Sequence, residues 1–279
     1  MSLLHAGTHR LSLSRVLIMG IVNTTPDSFS DGGRCFDSQA AIAHALKLAE
    51  AGADILDVGG ESTRPGAQPV AADEELRRVL PVIQALAEHG LMVSVDTQKA
   101  EVMRAAIAAG AAMVNDVTAL RGPGALEAVA ASDAAACLMH MQGEPRSMQQ
   151  APVYADVVRD VGMFLRERLA ACEAAGIARE RLVVDPGFGF GKTLAHNLGL
   201  LARLGEIAGL GVPVLAGMSR KSMLGALTGR DVDAREFAGV AAHLAAVARG
   251  ARIVRVHDVA AMRDALAVWN AVEEFSDGT

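Results

Sequence analysis

Three side chains stand in otherwise apolar runs of this sequence and could do chemistry there: Asp96, Asn115 and Asp185. Each offers hydrogen-bond acceptors, and a carboxylate reads two adjacent donors at once. The set therefore suits a flat heterocycle carrying N–H and NH2 groups. Lys221 can serve a carbonyl or nitrogen of the same ring. Arg255 and His257 are two residues apart, so on a strand both side chains face the same way. With Asn23 and Thr63 they make an anion site suited to phosphates. Taken singly, Asp96 or Asn115 is as readily structural as functional, an Asp at a strand end being an ordinary helix N-cap. For Arg255 a surface ion pair is the alternative, and its spacing from His257 on the last strand favours the anion site. Convergence of all of them on one mouth is what points to a site. Ser219-Arg220-Lys221-Ser222 opens a short helix whose free N–H groups would draw a carboxylate, and plain capping explains it equally well.

The elements that must position these residues are legible in the same sequence. Short apolar runs occupy Val16–Val22, Asp54–Gly59, Leu91–Asp96, Met113–Val117, Ala136–His140, Arg181–Asp185, Val212–Gly217 and Ile253–His257. Most are continuous, as parallel strands buried on both faces require. Helical patterns separate them: Gln39–Ala51, Ala72–His89, Ala100–Ala109, Gly124–Ser132, Ala155–Ala175, Thr193–Glu206, Arg235–Arg249 and Ala260–Glu274. Strand-then-helix repeated eight times predicts a single-domain α/β protein, a (β/α)8 TIM barrel, with a doubly wound sheet as the alternative. Residues 1–14 are expected to form a loose N-terminal arm and 15–279 the barrel. A faint repeat, Gly-Ala followed by a strand at Gly52, Gly110 and Gly250, places Asp57, Asn115 and Arg255 at equivalent positions. Two long segments, about Asn23–Asp37 and Gly60–Val70, carry Pro, Gly, hydroxyl and charged residues and are expected to be lids or binding loops.

Composition narrows the partners. The 279 residues carry a net charge of −6, with one Trp and one Tyr, which argues against nucleic acid as a partner. No apolar run is long enough to span a membrane. Cys35, Cys137 and Cys172 are odd in number and form no C-x-x-C, which fits a reducing cytoplasm. The Ala-rich helical exterior is compatible with a homodimer.

Several segments together resemble dihydropteroate synthase. They are Gly20–Gly33, Asp57–Gly66, Ser94–Thr97, Asn115-Asp116, Asp185–Phe190, Ser219–Ser222 and Arg255–His257, in order from about residue 15 to 270. The resemblance implies condensation of (7,8-dihydropterin-6-yl)methyl diphosphate with 4-aminobenzoate, giving 7,8-dihydropteroate and diphosphate. It implies that Asp96, Asn115, Asp185 and Lys221 hold the pterin, with Met139 and Arg255 sandwiching its ring. Asn23, Thr63, Arg255 and His257 would take the diphosphate, with Mg2+ at Asn23. Phe190, Ser219, Ser222, Arg64 and Pro65 would line the aminobenzoate pocket, with Thr25, Pro26, Asp27 and Phe29 in the first lid. Lys221, Arg255, Asp96 and Asp185 would carry the reaction. A methyltetrahydrofolate-dependent methyltransferase, or a binding paralogue without activity, are the alternatives.

Overall fold

The first residues are not a loose arm. In the computed structural model, which describes residues 3–25, 38–62, 67–143, 148–149 and 151–277, they form an antiparallel hairpin of β1 (Leu3–Ala6) and β2 (His9–Ser12). The physical reason is alternation over a very short span. Leu4 and Ala6 point inward and are fully buried, while Leu3 and His5, which alternate with them, are not.

The eight apolar runs become eight parallel strands: β3 (Leu17–Asn23), β4 (Ile55–Gly59), β5 (Val93–Asp96), β6 (Met113–Asp116), β7 (Ala135–Met139), β8 (Leu182–Asp185), β9 (Val214–Ala216) and β10 (Ala251–Val256). They pair in sequence order, and β10 closes the ring by pairing with both β9 and β3. Outside lie α1 (Ser38–Glu50), α2 (Ala72–Glu88), α3 (Ala100–Ala108), α4 (Ala125–Ala130) and α5 (Val157–Ala174). They continue with α6 (Leu194–Ala202), α7 (Leu204–Ala208), α8 (Ser222–Thr228), α9 (Glu236–Val247) and α10 (Val259–Asp277). The helix expected at Thr193–Glu206 is thus two. Arg203 leaves helical geometry between them, and its guanidinium is held by Asp156 and Glu206.

Two large apolar cores result, with a smaller third cluster around Met139. One lies between the strands and the helices. The other fills the N-terminal end of the barrel, where Leu17, Met19, Ile55, Met113, Val183 and Ile253 pack on Leu4, Ala6 and Leu13. The hairpin is the floor of the barrel.

Candidate active site

Two residues further along four of the strands the same interior face changes character. Ile55 is followed by Asp57, Met113 by Asn115, Val183 by Asp185 and Ile253 by Arg255. Arg255 donates from Nε to Asp57 Oδ2 at 2.6 Å and from Nη2 to Asp96 Oδ2 at 2.8 Å. Asn115 Nδ2 donates to the same Asp57 oxygen at 3.0 Å. The three residues that the Gly-Ala repeat makes equivalent therefore meet at one carboxylate oxygen.

The charges set one another. Burial works against the Arg255 cation, but Asp57 and Asp96 outweigh it and hold the guanidinium above its ordinary value. Burial pushes the Asp96 carboxyl up to about 7, with Arg255 opposing and Asp57 adding to the rise. Burial also raises Asp185, against the pull of Lys221. Lys221 in turn is lowered to about 8, by burial against the attraction of Asp185. Its ammonium donates to the Phe188 carbonyl and lies 4.5 Å from the centre of the Phe190 ring.

The loop after β8 is shaped by close backbone approach. A Cβ at Gly187 would lie 1.9 Å from the His140 carbonyl oxygen, and one at Gly191 would lie 2.4 Å from that of Gln142. Both glycines also have positive φ. The motif's glycines let this loop press onto the end of β7, and Asp185 Oδ1 accepts from Gly187 N at 2.7 Å. Beneath the loop lies Lys192, which sequence reasoning missed. It is buried and donates to Gly187 O (2.9 Å), Phe190 O (3.0 Å) and His140 Nδ1 (3.0 Å). Burial lowers it to about 7, and burial with the Lys192 charge lowers His140 to about 3. An isolated lysine after a glycine-rich loop carries no sequence mark of this; the carbonyls around it come from two strands' ends.

Above these residues opens a cavity of about 500 Å3. Asn23, Asp96, Phe190, Ser219, Lys221, Ser222, Arg255 and His257 all line it. His257 Nδ1 and Ser219 Oγ are 2.9 Å apart. Asn115, Met139 and Asp185 lie buried deeper in the barrel, Met139 packed with Met141 and Met148 and against Phe190. Ser222 begins α8, with Lys221 at the cap position and no side-chain cap. Thr25 follows the end of β3, where Thr24 donates to Gly59 O through both N and Oγ1. Pro26, Asp27, Phe29, Thr63, Arg64 and Pro65, and with them most of the first expected lid and the middle of the second, lie outside the described residues. Glu61, inside the second expected lid, also lines the cavity, and so do Met148 and Gln149, which were not anticipated. Glu61 accepts from Lys99 (2.5 Å) and from Val70 N (2.9 Å), tying the two ends of the second long segment together. Among the described residues no group of three or more His, Cys, Asp and Glu is arranged to hold a metal ion.

A closed parallel barrel with acceptors and cations gathered at the C-terminal mouth defines an enzyme of small molecules. A family model described as pterin binding enzyme matches residues 19–257. The chain is 53% identical over 272 residues to a dihydropteroate synthase of Neisseria meningitidis serogroup C, covering 96% of each chain. It superposes with a TM-score of 0.91 on a Xanthomonas albilineans dihydropteroate synthase with 4-aminobenzoic acid, at 57% identity, covering 98% of this chain and 99% of that one. A Burkholderia cenocepacia dihydropteroate synthase complexed with 7,8-dihydropteroate gives 0.92 at 50% identity, covering 100% and 99%. The chain belongs to the dihydropteroate synthases, within the pterin-binding enzymes. It is a transferase of alkyl groups in folate biosynthesis.

Proposed function

We propose that the barrel mouth joins (7,8-dihydropterin-6-yl)methyl diphosphate to 4-aminobenzoate with the following division of labour. Asp96, Asn115, Asp185 and Lys221 hold the pterin, and Arg255 and Met139 face its ring from opposite sides. Arg255, His257, Asn23 and Thr63 take the diphosphate. Phe190, Ser219 and Ser222, with Arg64 and Pro65, hold the amine, and Thr25, Pro26, Asp27 and Phe29 belong to a lid that excludes water. The observation that carries this reading is Arg255 pinned between Asp57 and Asp96 at the cavity, with Lys221 on the same wall.

The reaction needs no protein nucleophile. The C–O bond to diphosphate breaks as positive charge develops on the methylene, which the electron-rich pterin stabilises. The aniline nitrogen then forms the new C–N bond and loses its proton. Arg255 and His257 neutralise the departing diphosphate, and the ring contacts fix the methylene in line with the amine. Water that would capture the cation is kept out by closure of the mouth.

Asn23 offers one neutral amide oxygen at the cavity, beside the proposed phosphate cations. Mg2+ keeps several waters and is usually held by one or two protein oxygens plus substrate phosphates. The donor set therefore fits a magnesium carried on the diphosphate, with Asn23 as its protein contact. When bound, the ion would offset leaving-group charge.

A coupled assay of diphosphate release, run with and without 4-aminobenzoate, tests the reading. Release and dihydropteroate formation should both require the amine; release indifferent to it would point to another acceptor.

Val268, Val272 and Phe275 stand exposed on α10 at helical spacing. They support a homodimer formed through this face, which Val268→Glu should convert to monomer in sedimentation. The buried free thiols of Cys137 and Cys172 support a reducing, cytoplasmic setting. No helix among the described residues is long and apolar enough to cross a membrane.

A further inference from the structure

Asp57 touches two members of the proposed pterin site yet cannot touch a ligand itself, being fully buried. We propose that Asp57 is a positioning residue of the pterin subsite, its Oδ2 orienting both the Arg255 guanidinium and the Asn115 amide. The inference rests on the reading of this mouth as a pterin site.

An ionised carboxylate only accepts hydrogen bonds, so Asn115 must turn Nδ2 toward Asp57; the reverse orientation would set two acceptors face to face. That leaves Asn115 Oδ1 as an acceptor for a ring N–H. Arg255 is held at two points, Nε on Asp57 of β4 and Nη2 on Asp96 of β5, which fixes the plane of the guanidinium. Its face and Nη1 remain for a flat ring and an anion.

A purely structural reason for Asp57 is hard to find. Its Oδ1 has no hydrogen-bond partner, and neither has Ser94 Oγ on the residue paired with it across the sheet. Burying a carboxylate half-satisfied is destabilising, and the same interior face carries Ile55 one step lower, where packing alone decides. The fold would be served at least as well by an apolar side chain. The chemistry of Arg255 and Asn115 would not.

Asp57→Asn keeps the shape and removes the charge. We expect the KM for the pterin diphosphate to rise about ten- to a hundredfold, the effect of losing a hydrogen bond between charged groups. The KM for 4-aminobenzoate, measured at saturating pterin diphosphate, should stay within about twofold, because none of the groups Asp57 holds is assigned to the amine. Asp57→Ser should give the same split. An unchanged pterin KM, or equal rises in both, overturns the proposal. So does failure of both variants to fold, since Asp57 would then be a framework residue. The wild-type enzyme in the same assay separates the two claims. If it makes no dihydropteroate, the functional reading fails; if it does and the split is absent, Asp57 alone is misassigned.

Discussion

The two ends of the barrel interior are built by the same strands, two residues apart, and they solve opposite problems. At the N-terminal end Leu17, Met19, Ile55 and Ile253 close on Leu4 and Ala6 of the hairpin with no polar atom among their side chains. At the C-terminal end Asp57, Asp96 and Asp185 face Arg255 and Lys221 in a partly dehydrated space. Burial of apolar surface stabilises the floor without condition. Burial of charge at the mouth is tolerable only while each group keeps its partner. One strand thus carries stability in its first half and chemistry in its second, which is how a barrel can change its reaction without changing its fold.

Removing Arg255 should break the mouth most severely. Arg255→Ala leaves Asp57 and Asp96 buried without their cation, and breaking such a pair costs about 3–5 kcal/mol of stability at neutral pH. The same change should lower kcat/KM by about 10²–10³, the usual effect of losing one charge-stabilising group. Urea unfolding and diphosphate release measure the two effects. Lost stability with turnover intact would make the mouth a second core. Leu4→Ala is the matching change at the floor. A buried leucine lost to alanine costs about 2–5 kcal/mol, and kcat and both KM values should not move well below the melting temperature. A parallel fall in turnover would show that the two ends are coupled. Asp185→Asn replaces an acceptor with a donor and should weaken pterin diphosphate binding about tenfold in calorimetry, with little loss of stability. Unchanged affinity would remove Asp185 from the subsite.

The same contrast explains what could be read from the sequence. Two-sided burial makes each barrel strand an uninterrupted apolar run, so all eight were visible, and a carboxylate such as Asp96 inside such a run stands out. The hairpin was not visible because each of its strands has four residues, with Leu3, His5, Arg10 and Ser12 on the outward face and a polar His9 paired with Ala6 on the inward one. Too few apolar positions remain to show a period. Lys192 was missed for a different reason. Its burial depends on carbonyls of Gly187, Phe190 and His140, which no local pattern encodes. Asp57 had a signal, its equivalence to Asn115 and Arg255 in the Gly-Ala repeat, but equivalence of position on three strands says nothing of contact until the barrel closes.

The finest test of the contrast is in its titration. Asp96, near 3.9 when unfolded, is raised to about 7 by burial, so the folded chain holds a proton that the unfolded chain has lost. Its stabilising contribution is complete below about pH 4 and is lost as pH rises to about 7. Lys221 is lowered to about 8 from an unfolded value near 10.4, so stability tied to it is regained only as pH rises from about 8 upward. Between those limits Asp96 is ionised and Lys221 is charged, the forms proposed to bind the ring, and the empty mouth is least stable. The raw stability curve mixes in other groups, because burial keeps His140 and His243 neutral and gives an opposite slope below their ordinary values. The difference between wild type and Asp96→Asn isolates the term and should fall as pH rises from about 4 to about 7. The difference between wild type and Leu4→Ala should be flat over the same range. In kinetics, kcat/KM for the pterin diphosphate should be bell-shaped with limbs near the Asp96 and Lys221 values. Asp57→Asn should move the acid limb to lower pH, because the Asp57 charge is one of the forces raising Asp96. An acid limb that stays in place, or moves up, would mean that some other group governs it.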